Sequence, residues 1–235
     1  MERYNELYAK NNFQNHLKNI FIKMALAMGI TAATAYAVYR SILHGGIFYK
    51  LMLNPLITIL LTIAELGVTV VWRANLFNTE KRTCETLFYV YAFINGLTFG
   101  ILPLIYSVGT LFTAFLYTMI FFICCAVIGY TTKMDLTRFG SILFAGLISL
   151  LIGSLLSLII PALRNSLALS YAGVLLFMVY TAYDIQKIKK NYASIENSDI
   201  RLQENFAVYG AFELYLDFVN LFLDLLRIID KGKRD

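Results

Sequence analysis

The chain of 235 residues is 59% hydrophobic and only 15% charged, with a formal net charge of +5. Soluble domains run nearer a quarter charged, and one of this size could not hide so much apolar surface in a single core; a bilayer could. The basic residues sit mostly between apolar runs, the pattern of topology signals and lipid headgroup contact rather than of a nucleic-acid surface.

Met1–Asn19 is a polar lead of mixed charge, either a surface helix or disordered. The first apolar run follows it without a small-residue cleavage site, so it is expected to remain as a retained first span. Residues 20–235 read as one domain of seven spans: Ile20–Tyr39, Leu51–Trp72, Cys84–Tyr106, Gly109–Thr131, Phe139–Ile160, Ser166–Asp184 and Phe206–Ile229. Each is close to the roughly 20 residues that a crossing helix needs. The connections are short, so the expected fold class is an all-α integral membrane protein, a bundle of about seven transmembrane helices. Gly96 and Gly100 form a GxxxG spacing in the third span, which lets helices approach closely. Pro55, Pro103 and Pro161 fall near span ends, where a missing N–H costs least.

Lys and Arg counts orient the bundle. With the N-terminus inside, the inner segments hold twelve such residues and the outer loops three. The tail conflicts, because Arg227, Lys231, Lys233 and Arg234 lie outside if all seven spans cross. Either the bias fails at the C-terminus or the last segment is re-entrant.

Cys84, Cys124 and Cys125 lack a CxxC or CxxH spacing, and His16 and His44 lie outside the apolar runs. No zinc, haem or other cofactor is expected, and the thiols read as packed or lipid-facing. There is no HExxH and no Ser/His or Cys/His pair at membrane depth, so an enzyme is not expected. An aspartyl-protease-like carboxylate dyad is the weakest alternative.

Glu213, Asp217, Asn220, Asp224 and Arg227 are spaced 4, 3, 4 and 3, which puts all five on one helical stripe. A charge at the bilayer centre costs about 2.5–3.5 kcal/mol on insertion scales. The stripe should therefore face the bundle interior or a water-filled cavity, as an ion path or as an ion-pair ladder that only fixes packing. Asp184 stands at the inner end of the sixth span, ahead of Lys187, Lys189 and Lys190; a solvated carboxylate paired with Lys187 is the plainer reading. Glu65 lies deep in the second span, about 12 Å along a helix from Arg73. It needs another partner or a neutral state. Arg73 either reaches a carboxylate on a neighbouring helix or snorkels to headgroups.

Tyr183–Asp184–Ile185–Gln186 resembles the Asp-x-Gln ending of the sixth helix in the Bax inhibitor-1 family. Leu214–Tyr215–Leu216–Asp217–Phe218–Val219–Asn220–Leu221–Phe222, with Leu225–Leu226–Arg227, resembles that family's last-helix signature. The resemblance covers nearly the whole chain. It implies a central last helix wrapped by the others and a pH-sensitive calcium leak across the membrane. By motif it implies that Asp184 and Asp217 form a hydrogen-bonded pair near the cytosolic side, sensing pH and meeting calcium. It also implies an acid and a base on the second helix that act as gate or latch; Glu65 and Arg73 are the nearest candidates, with Arg82 the alternative base. Glu213, Asn220 and Asp224 are supporting members of the stripe.

Two carboxylates within hydrogen-bond reach cannot both ionise cheaply and titrate as a unit. A shared proton, or a bridge to Arg73, would hold helices together; its loss would free oxygen ligands of the kind calcium prefers. The expected partners are the bilayer, calcium and protons, and no nucleic acid. Two alternatives remain: a regulator that binds membrane proteases or death factors, and a proton-coupled transporter, against which the lack of an internal repeat argues. A bacterial inner membrane with a cytoplasmic N-terminus is the simplest location.

Overall fold

A computed structural model describes residues 2–46, 80–160, 167–196 and 198–233, together with scattered positions between 48 and 69. The described residues are almost entirely helical and contain no strand. The helices are α1 (Glu2–Leu43), α2 (Lys81–Phe99), the single turn α3 (Leu102–Ile105), α4 (Val108–Thr131), α5 (Gly140–Ile159), α6 (Ala168–Ile195) and α7 (Ile200–Gly232); a 3-10 turn, Leu136–Phe139, precedes α5. Six helices among the described residues are long and apolar enough to cross a membrane. The second expected span, Leu51–Trp72, lies largely outside the described residues.

Helix boundaries follow local chemistry. The polar lead is helical and continuous with the first span, because α1 runs unbroken from Glu2 to Leu43. It stops where Gly45 adopts a left-handed φ of 67°. The Gly45 N–H then donates to the Ile42 carbonyl at 3.1 Å and the Gly46 N–H to that of Ser41 at 2.7 Å, a Schellman closure. The third span is expected to run to Tyr106, but α2 ends at Phe99. Pro103 explains the break, since its ring would meet the carbonyl four residues back, that of Phe99. The sixth span is expected to end at Asp184, yet α6 continues to Ile195. No Gly or Pro interrupts this stretch, and its Gln and Lys residues are good helix formers. Asp184 is therefore a mid-helix residue.

The chain divides into two compact units, residues 1–105 with 191–215 and residues 106–190 with 216–235; α6 and α7 contribute to both. In the first unit, α1 packs on α2 across the GxxxG pair. A Cβ on Gly96 would sit 2.6 Å from the Thr34 Cβ, and one on Gly100 would overlap the Val38 side chain. Thr31 ties three helices, bonding to the Ala92 carbonyl at 2.9 Å and the Tyr215 hydroxyl at 2.7 Å. Lys23 and Glu85 form an ion pair between α1 and α2. The rings of Phe88, Tyr91, Phe212 and Tyr215 meet edge to face with centroids 5.0–6.0 Å apart.

In the second unit, Ser107 caps α4 by accepting from the Thr110 N–H at 3.1 Å. Gly129 of α4 lies against the Ala182 backbone of α6, leaving no room for a side chain. Phe218 of α7 packs on Phe115 and Phe122 of α4 at 5.7 and 5.6 Å. Phe177 of α6 and Leu221 and Leu225 of α7 form a buried apolar cluster. The outward faces of α4 and α5 carry exposed residues such as Phe112, Ile123, Ile142 and Leu155. Lipid accounts for them, since water would not favour such a face. Across the spanning helices, α7 is the most enclosed: 67% of its apolar window is buried, against 6–44% for the other five.

Candidate functional site

The two motif aspartates are both buried, Asp184 at 5% exposure and Asp217 at 4%. They come from α6 and α7 within the second unit, and each is close enough for its charge to act on the Tyr180 phenol. Lys187, one turn beyond Asp184, brings its Nζ to 4.0 Å from the Asp184 carboxylate. That contact bears out the Lys187 pairing, although the carboxylate is buried rather than solvated.

Residues two apart on an α-helix point about 200° apart. This places Gln186 on the other side of α6 from Asp184, and Gln186 holds the loop between α4 and α5. Its Nε2 donates to the Met134 carbonyl at 2.8 Å, and its Oε1 accepts from the Leu136 N–H at 2.6 Å. One turn on, the Lys190 Nζ donates to the Asp135 carboxylate at 2.6 Å and reaches the Thr137 hydroxyl at 2.7 Å. The Lys190 and Thr137 hydrogen bonds hold the Asp135 carboxyl well below the usual carboxylate range. Asp135 also caps the 3-10 turn by accepting from the Thr137 N–H at 3.1 Å. Gln186, Lys190 and Asp135 escape a reading of the sequence, since only their long-range contacts give them a role. The one available signal is the Asp-x-Gln spacing itself.

The acidic stripe on α7 grades outward. Glu213 and Asp217 are buried, Asn220 and Asp224 half-buried, and Arg227 exposed. Arg227, the last of the five, is the exposed end of the stripe. Asn220 donates to the Leu216 carbonyl of its own helix at 2.8 Å. Asp224 takes a hydrogen bond from Ser170 and lies against Gly173. In the first unit, Glu65 is half-buried and accepts a long 3.4 Å contact from the Thr98 hydroxyl, which supplies the partner its depth requires. Arg73 lies outside the described residues, and Arg82 is exposed.

Cys84 and Cys125 are buried and Cys124 is exposed, and none of the three is in a disulfide. Among the described residues no three His, Cys, Asp or Glu side chains come together as a metal site. Asp184 and Asp217 alone offer at most four carboxylate oxygens, short of the six to eight that calcium takes.

Fold and site define a class: a multi-pass α-helical membrane protein whose last helix is enclosed by its neighbours and carries buried carboxylates. The model of the family described as "Inhibitor of apoptosis-promoting Bax1" matches residues 13–235, and the chain belongs to that family. It is 32% identical over 215 residues to the inner membrane protein YbhL of Escherichia coli K12, covering 92% of this chain and 91% of that one. It is also 31% identical over 230 residues to an uncharacterised protein of Borreliella burgdorferi, covering 98% and 96% of the two chains. With protein RP147 of Rickettsia prowazekii the identity is 32% over 225 residues, covering 94% and 91%.

Proposed function

We propose that the chain is a pH-sensitive calcium leak protein of a bacterial inner membrane, with its N-terminus in the cytoplasm. One observation carries the reading: two carboxylates from neighbouring helices, Asp184 and Asp217, are both buried, and the charge of each reaches Tyr180. Burial penalises two charges there, so the pair holds a shared proton more readily than separate carboxylates would. The shared proton ties α6 to α7. Its loss leaves two repelling carboxylates that a divalent cation can bridge. Lys187, at the edge of the pair, offsets part of the negative charge and keeps a calcium ion from binding so tightly that it cannot leave.

The test is calcium flux into proteoliposomes across a pH series. Wild-type flux should rise as pH rises through the range where the pair gives up its proton. Asp217→Asn cannot share a proton in the same way, so its flux should lose most of that dependence. If Asp217→Asn matches wild type in both flux and pH response, the reading is wrong.

A further inference from the structure

Asp224 lies seven residues beyond Asp217 on α7, about 10 Å along the axis. It does not belong to the aspartate pair, and three features surround it. The Ser170 hydroxyl of α6 donates to its carboxylate, and Ser170 is itself only 3% exposed. Gly173, one turn along α6, forms the floor of the seat: a Cβ there would overlap the carboxylate Oδ2. Between this seat and the aspartate pair stand Phe177 and Leu221, 8% and 0% exposed. Along α6 the order is Ser170 and Gly173, then Phe177, then Tyr180 and Asp184. Along α7, in the opposite direction, it is Asp224, then Leu221, then Asp217. The same helix pair therefore holds an acidic station on each side of an apolar layer.

An ion path needs weak binding at more than one place, and a hydrophobic constriction can close it by excluding water. We propose that Asp224 is the second cation-binding carboxylate of the path, on the far side of a Phe177–Leu221 seal from Asp184 and Asp217. The ligand is a hard divalent cation, taken from the face of the membrane opposite to that of the aspartate pair. Ser170 is a positioning residue that aims the carboxylate, and the bare backbone of Gly173 gives it room. Arg227, one turn on and exposed, adds a positive charge at the rim that keeps the station weak. This inference rests on the leak reading above.

Calcium flux into liposomes carrying the full chain tests it. Asp224→Asn keeps the side-chain volume and can still bond to Ser170, so the fold is retained while the charge is lost. Its flux should fall about tenfold with the pH midpoint unmoved, because the aspartate pair is intact. Leu221→Ala, which thins the seal, should raise the resting flux. A wild-type chain that passes no calcium at any pH overturns the leak reading and this one with it. A wild-type leak that Asp224→Asn leaves unchanged overturns the second station alone and makes Asp224 a helix clamp. A second measurement is independent of flux. In a chain with Cys84, Cys124 and Cys125 replaced, Arg227→Cys and Lys189→Cys, at exposed positions beside the two stations, should react with a membrane-impermeant thiol reagent from opposite faces. Reaction of both from the same face overturns the arrangement.

Discussion

Single residues differ in how far their charge can follow pH. Asp135, on the loop between α4 and α5, is held charged by Lys190 and Thr137. A carboxyl whose folded value is depressed stabilises above its unfolded value, about 3.9, and loses that contribution as pH falls through the folded one. The Lys190–Asp135 latch therefore stays closed across the neutral range and cannot be the source of a response there. Melting of Asp135→Asn against wild type checks this: the variant should be less stable at pH 7, and the gap should narrow as pH approaches about 3. A gap that stays constant to acid pH would show that the charge on Asp135 contributes nothing. Asp184 and Asp217 are both buried, and the liposome experiment on Asp217→Asn tests whether they share a proton.

At the scale of elements, packing between helices is set by the absence of side chains. Gly96 and Gly100 let α1 and α2 touch backbone to side chain, with Thr34 and Val38 filling the space. Gly100→Ile would force a branched side chain into Val38. Overpacking of this kind costs about 1–3 kcal/mol, which thermal unfolding in detergent would register. Gly29→Ala, at a position with open space on the same helix pair, should be close to neutral. The GxxxG spacing made this contact legible from the sequence. So were the six described spans, because lipid demands long apolar helices and little else produces them. The helix ends were less legible. The break at Gly100 needed Pro103 to be read as a clash with Phe99, and the extension of α6 to Ile195 lies in a polar stretch where hydropathy carries no signal. Cost in an apolar helix drew attention to Asp217, and the resemblance of Tyr183–Gln186 and Leu214–Phe222 to the family's motifs singled out Asp184 and Asp217 together. Gln186 and Lys190 could not be found by cost, since polar residues at a helix end are common and only their contacts with Met134, Leu136 and Asp135 distinguish them. The latch candidate Arg73 is a matter of sequence alone, outside the described residues.

For the whole molecule, the spacing of Asp184 and Gln186 has a mechanical result. One side of α6 holds the buried aspartate; the other holds the loop at Met134–Leu136 through two hydrogen bonds of 2.6 and 2.8 Å. A rod gripped on both sides cannot turn about its own axis without disturbing both grips. Any twist of α6 that parts Asp184 from its surroundings either tears the loop free or drags it along. A rotation of α6 would thus be carried to the loop. A fluorescent label on the exposed Lys133 would register movement in the membrane interior from the aqueous side. A binding protein raised against that loop could, by the same gearing, hold the helix in one setting.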